Sequence, residues 1–171
     1  QLTALAPDAI PVVAYGNLIP ADMLDIPAHG WVNLHFSLLP KWRGAAPVQA
    51  AIAAGDEVTG ATTFRIDEGL DTGDILDTLE TVIGEAETSG ELLERLAYAG
   101  ADLLVETMGA LEAGTAAPTP QPEEGTYAHK IAPADARVDW NQPAAVIDRG
   151  IRAHTPAPGA WTMRGEDRFK L

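Results

Sequence analysis

The run "AIPVVAYG", residues 9–16, constrains the fold more than any other stretch. It is β-branched, almost wholly apolar and ends at a glycine, as expected of a central parallel strand covered on both faces. Covering both faces takes helices above and below the sheet, which is an α/β architecture. Such sheets do not normally begin with their buried central strand, so further strands and helices are expected to precede Gln1.

Several later segments carry their own signals. "NLIPADMLDIPA" (17–28) predicts a short helix after Pro20, ended by Pro27. "WVNLHFS" (31–37) predicts a strand with Val32, Leu34 and Phe36 on one face and Asn33, His35 and Ser37 on the other. The bland reading of that polar set is a face turned to water. "APVQAAIAAGD" predicts a compact helix with Pro47 in its first turn and Gly55 as its stop. "TGATTFRID" and "ILDTLETVI" read as strands joined through the turn-rich "EGLDTGD".

The longest predicted helix opens at Thr88, which is spaced with Glu91 as a capping box, and stops at Gly114. Leu92, Leu96, Leu103 and Leu104 help define its apolar stripe. "TAAPTPQPEEG" (115–125) is rich in proline with little to bury and reads as an extended linker. Beyond it, "PAAVIDRGIRAH" reads as a helix and "AWTMRGEDRFKL" as a strand, a glycine-centred turn and a second strand. A lone hairpin is marginal in water, so this end is expected to belong to a larger β unit.

Composition narrows the function classes. The 171 residues suffice for one ordinary domain and a piece of a second. The absence of cysteine excludes disulfides, thiolate metal sites and a cysteine nucleophile. A formal net charge of −14 argues against a broadly basic nucleic-acid surface, while a local basic patch or a segment outside these residues could still bind RNA. No apolar run approaches a membrane span, and the first residues lack the pattern of a signal peptide. The expectation is a soluble, cytoplasmic protein with no membrane or DNA partner.

Two polar clusters carry the chemistry. The first is the Asn33, His35 pair; the second is "RIDEGLDTGDI", where Asp67, Asp71 and Asp74 surround Gly69 and Gly73. Taken alone, the second is best read as a solvated turn. It lacks calcium-loop spacing, and His29, His35, His129 and His154 form no zinc pattern, so no metal is expected. No Gly-x-Gly-x-x-Gly follows a strand, so nothing supports a dinucleotide. Ligand sites collect at strand ends, where Asn33 and His35 could meet a carboxylate from the adjacent loop. Such a trio suits acyl transfer without a covalent enzyme intermediate: the amide and a protonated imidazole donate to an oxyanion or a leaving nitrogen, and the carboxylate pairs with the imidazolium.

"NLHFSLLPKWRGAAPVQAAI" together with "TGATTFRIDEGLDTGDIL" resembles the 10-formyltetrahydrofolate-dependent formyltransferases. The strand Asn-x-His, the Ser-Leu-Leu-Pro and the Gly loop with its Asp are shared across that family. "WRGAAPVQ", "GLDTGDIL", "YAHKIAPADARVDW" and "IRAHTPAPGAW" resemble the branch whose acceptor is initiator methionyl-tRNA. The resemblance runs through essentially the whole chain. It implies a Rossmann-like catalytic domain over 1–114 with its N-terminal part missing. A Pro-rich linker over 115–125 and the beginning of an OB-like, tRNA-binding barrel over 126–171 would follow.

By position, the resemblance implies catalytic roles for Asn33, His35 and Asp71. It implies folate contact for Ser37, Leu38, Leu39 and Pro40. Walls for the pterin ring fall on Tyr15, Gly16 and Leu18, and on Ile66, Asp67, Glu68 and Gly69. Arg43 and Gly44 fall where the tRNA acceptor end should pass, with the guanidinium free to grip phosphate. The formyl donor implied is 10-formyltetrahydrofolate. A sibling enzyme acting on an amino sugar nucleotide, a formyltetrahydrofolate hydrolase and an inactive folate-binding fragment are the rival readings.

Overall fold

A computed structural model describes residues 2–171. In chain order the elements are α1 (Leu2–Leu5), β1 (Ile10–Val13), α2 (Ala21–Leu24), β2 (Trp31–His35), β3 (Arg43–Gly44), α3 (Pro47–Ala54), β4 (Val58–Arg65), β5 (Ile75–Val82), α4 (Ser89–Ala113), β6 (Tyr127–Ala128), α5 (Ala144–Ala153), β7 (Trp161–Arg164) and β8 (Asp167–Lys170). Four strands form the main sheet in the order β1-β2-β4-β5.

The sheet is mixed. β1 and β2 run parallel, whereas β2–β4 and β4–β5 are antiparallel. Among the described residues β1 is the sheet's edge, and its residues alternate between half-buried and exposed. Its composition is that of a covered strand, but no described strand pairs with its outer side. β2 instead occupies an interior position. Its polar face is largely covered: His35 and Ser37 are buried and Asn33 is half-buried.

The face carrying Leu34 is covered by α4. Ser89, Leu92, Leu96, Gly100, Leu103, Thr107 and Leu111 are its buried residues, spaced three and four apart as one helical stripe. Gly100 marks the close approach to the sheet, because a Cβ there would sit 3.0 Å from the Leu34 side chain. The capping box at Thr88 and Glu91 and the left-handed Gly114 bound the helix as the sequence predicts. Glu87, just before the cap, pairs with Arg95 at 3.0 Å, and Arg95 also donates to the Val82 carbonyl. That ties the first turns of α4 to the end of β5.

α3 packs between α4 and α5. Val48 and Ile52 of α3, Leu92 and Leu96 of α4, and Ala153 of α5 form one buried cluster, with Phe36, Leu79 and Ile83 against it. β6 pairs in parallel with β3. Residues 126–171 therefore contribute to the same core as the sheet. Their last elements, β7 and β8, form an antiparallel hairpin in which the Trp161 ring has Arg168 over it at 4.2 Å and Arg137 at 5.5 Å.

The Pro-rich segment is not a free linker. Thr119 exchanges backbone hydrogen bonds with Ile75 in both directions, at 2.9 and 2.8 Å. Proline removes donors, but the non-proline residues between still pair. Among the described residues no helix is long and apolar enough to cross a membrane.

Candidate active site

The face of β2 turned away from α4 forms the floor of a cleft of about 680 Å³. Asn33 and His35 of β2 line it together with Phe64 of β4, the residue opposite Asn33 in the strand register. One wall is the turn 14–19 that follows β1, and the other is the loop 66–71 that follows β4. The volume falls in the range typical of sites for small organic ligands. Tyr15, Leu18 and Leu70 are exposed apolar side chains along this cleft.

His35 is held through one ring nitrogen and faces a carboxylate with the other. Nε2 lies 2.8 Å from the Trp42 carbonyl oxygen. A carbonyl only accepts, so Nε2 carries the proton and Nδ1 is left to act. Nδ1 lies 3.7 Å from Asp71 Oδ2, within ion-pair range but beyond a strong hydrogen bond. The imidazole also meets Phe64 edge to face, with centroids 6.4 Å apart.

Asp71 is held in turn by the Gly44 N–H, which donates to the same Oδ2 at 2.7 Å. The two residues that flank His35, Trp42 and Asp71, both have left-handed backbones, with φ of 60° and 56°. A non-glycine residue in that region costs roughly 1–3 kcal/mol and persists where its surroundings hold it. Thr126 Oγ1 accepts from the Trp42 N–H at 2.9 Å, and Asp56 Oδ2 accepts from the indole N–H at 2.8 Å. Lys41 pairs with the other Asp56 oxygen at 2.8 Å. The loop of Asp71 is braced by Asp67, whose Oδ1 accepts from the Gly69 N–H at 3.0 Å and from the Thr72 hydroxyl at 2.8 Å.

Asn33, His35 and Asp71 thus share one cleft, as do Tyr15, Gly16, Leu18, Ile66, Asp67, Glu68, Gly69 and Gly44. Ser37, Leu38, Leu39 and Pro40 do not line it. Ser37 is fully buried, its hydroxyl donates to the Lys41 carbonyl at 2.6 Å, and its own carbonyl accepts from Thr62 Oγ1 at 2.7 Å. These bonds shape the loop beneath Trp42.

Arg43 is buried, unlike an ordinary exposed loop arginine. It is 1% exposed, and its guanidinium donates to Gln121 Oε1 at 2.9 and 3.2 Å, to the Pro122 carbonyl at 2.9 Å and to the Glu123 carbonyl at 3.2 Å. With its donors turned inward, it is not available to grip a phosphate. Sequence reasoning also passed over Phe64, Leu70, Thr126 and Gln121. The Asn-x-His alternation points to β2 alone, and nothing in a Pro-rich stretch marks one glutamine as a site neighbour.

Chemically, the cleft offers an amide, an imidazole whose Nδ1 faces a carboxylate, and apolar walls. That combination can polarise a carbonyl and move a proton at the same centre. Comparison with known proteins decides which such chemistry the chain is related to. A family described as "Formyl transferase" matches residues 1–108, and "Formyl transferase, C-terminal domain" matches residues 130–171. The chain belongs to the formyl transferase family.

Within it, the chain is 70% identical to a methionyl-tRNA formyltransferase of Corynebacterium aurimucosum, over all of this chain and 52% of that protein. It is 67% identical to one of Corynebacterium efficiens, again over the whole chain and 54% of the relative. The chain spans about half the length of the curated relatives it matches. Among solved structures, a 4-N formyltransferase from Francisella tularensis superposes with a TM-score of 0.83 at 20% identity, over 96% of this chain and 69% of that one. The formyltransferase PseJ from Anoxybacillus kamchatkensis, solved with a formamido UDP-sugar and tetrahydrofolate, gives 0.65 at 32% identity, over 71% and 64%. The mixed sheet described above is accordingly that of the formyl transferase fold.

Proposed function

We propose that the whole protein transfers a formyl group from 10-formyltetrahydrofolate to the α-amino group of initiator methionyl-tRNA, for translation initiation. The observation that carries the proposal is the His35–Asp71 pair in the cleft beside Asn33, with Nε2 of the imidazole committed to the Trp42 carbonyl. The acceptor is taken from the 70% identity to a methionyl-tRNA formyltransferase. In this reading residues 1–114 are the catalytic domain, 115–125 join it to the next, and 126–171 begin the tRNA-binding domain.

The cleft suits a flat heterocycle: its walls are the turn at Tyr15, Gly16 and Leu18 and the loop from Ile66 to Gly69. A donor of this type supplies a formyl carbon that the neutral amine attacks to give a tetrahedral oxyanion, whose collapse breaks the bond to N10. Asn33 donates its amide N–H to the formyl oxygen as that oxygen gains negative charge. His35, protonated, donates from Nδ1 to the same oxygen or passes that proton to the departing nitrogen. The proton released by the attacking amine restores the imidazolium. Asp71 orients the ring and supplies the negative charge that pairs with it.

The test is formyl transfer by the whole protein from labelled 10-formyltetrahydrofolate, with methionyl initiator tRNA, an amino sugar nucleotide and no acceptor assayed side by side. Label on the tRNA alone is the expected result. Label on the sugar, or formate released without an acceptor, would replace the acceptor while keeping the chemistry at His35.

A further inference from the structure

The sequence marks residues 115–125 as a connection between units, yet one side chain in it reaches the loop that carries Asp71. Gln121 Nε2 donates to the Asp71 carbonyl at 3.0 Å and to the Gly73 carbonyl at 2.7 Å. Its Oε1 accepts from Arg43 Nε and Nη2 at 3.2 and 2.9 Å. The amide's two ends are therefore set by chemistry, since carbonyls demand a donor and a guanidinium demands an acceptor.

These four contacts join two loops that sit on either side of His35. Arg43 follows Trp42, whose carbonyl holds Nε2, and Asp71 faces Nδ1. Asp71 has a left-handed backbone, and its neighbour Gly73 is pressed against β4 so closely that a Cβ there would fall 1.8 Å from the Arg65 carbonyl oxygen. The carbonyls of both residues are turned toward Gln121. Removing the donor leaves those carbonyls unpaired and removes a restraint on the distance from Asp71 to His35. Arg43 has no carboxylate within ion-pair range among the described residues, so Gln121 is also the side chain on which its buried charge rests.

We propose that Gln121 is a positioning residue for formyl transfer: its amide clamps the Asp71 loop to Arg43, and so sets the two groups that orient His35. The inference rests on the function proposed above. It makes the segment after α4 part of the active-site framework. Gln121 touches neither substrate in this scheme and acts through Asp71.

Gln121→Glu separates the two ends of the clamp. A carboxylate still accepts from Arg43, and does so with opposite charge, but it faces the Asp71 and Gly73 carbonyls with an acceptor instead of a donor. The whole protein is assayed with 10-formyltetrahydrofolate and methionyl initiator tRNA, and its folding is followed by thermal melting. The expected result is a kcat lowered about 30- to 100-fold, the scale set by misplacing a catalytic group by about an ångström. KM for the folate stays within threefold, and the melting temperature stays close to that of the parent.

A kcat within threefold of the parent's overturns the assignment, and so does a loss of activity that only tracks a lowered melting temperature. If Gln121→Glu does not fold, Gln121→Met keeps the length of the side chain without either set of hydrogen bonds. It is read by the same split between kcat and KM, with folate binding measured by fluorescence titration. Failure of the parent protein to formylate any acceptor would instead defeat the functional reading, which separates the two failures.

Discussion

At the residue scale, the site depends on two side chains whose backbones occupy a region that L-residues avoid. Asp71 is the more instructive, because asparagine tolerates the left-handed region at least as well and its amide oxygen can still accept the Gly44 N–H. Asp71→Asn therefore keeps the fold and removes the negative charge 3.7 Å from Nδ1 of His35. Turnover is expected to fall about 10²- to 10⁴-fold, the usual range for general acid–base groups, with the melting temperature near that of the parent. Steady-state kinetics beside a thermal melt measures both, and near-normal turnover would remove the carboxylate from the mechanism. Asn33 and His35 were legible because strand alternation puts them on one face whatever the fold. Arg43 was not, since a charged loop residue reads as exposed until the carbonyls that enclose it are seen. The bond from the Ser37 hydroxyl to the Lys41 carbonyl, four residues on, is likewise not legible from strand alternation.

At the element scale, α4 was the most legible part, since its cap, its stop and its buried stripe are all written in local sequence. Strand direction was not. A period of two identifies β4 and β5 as strands but is the same for parallel and antiparallel neighbours, so the mixed sheet had no local signature. The entry to α4 also carries an acid sensitivity. Burial pushes the Glu87 carboxyl up, but the hydrogen bond and charge of Arg95 and the Gly84 N–H outweigh it, and the net shift is downward from 4.5. A depressed carboxyl contributes stability that is fully present above its unfolded value and is lost as pH falls through its folded one. The contribution is thus intact at neutral pH, begins to fall below about pH 4.5, and is gone once the pH has dropped through the lower folded-state value, where protonation breaks the Arg95 pair. Glu87→Gln removes it at the outset. Thermal melts at pH 7 and pH 4 should show the variant below the parent at pH 7 and the gap narrowed at pH 4. An equal gap at both values would mean that ionisation of Glu87 contributes nothing to holding α4.

At the scale of the whole molecule, the question is whether residues 126–171 are a separate unit or part of the catalytic framework. Composition argued for separation, because prolines break the pattern at 115–125 and little there can be buried. The packing argues otherwise. Thr126 and β6 hold the backbone of Trp42 and Arg43, and Ala153 of α5 is fully buried among Val48, Ile52, Leu92 and Leu96. A glutamine in the Pro-rich stretch and a threonine just after it give no periodicity from which this could be read, whereas the helix at α5 and the hairpin of β7 and β8 could be. The shared core makes a prediction that a separate unit would not. Ala153→Leu overfills that cluster and should cost about 1–3 kcal/mol. Because the cluster joins three helices, the loss should appear as faster amide hydrogen exchange in α3 and α4, outside the element that carries the substitution. Faster exchange confined to residues 126–171 would show two units that merely touch. Spread across all three helices, it would mean that the segment beyond the prolines stabilises the loops on which His35 depends.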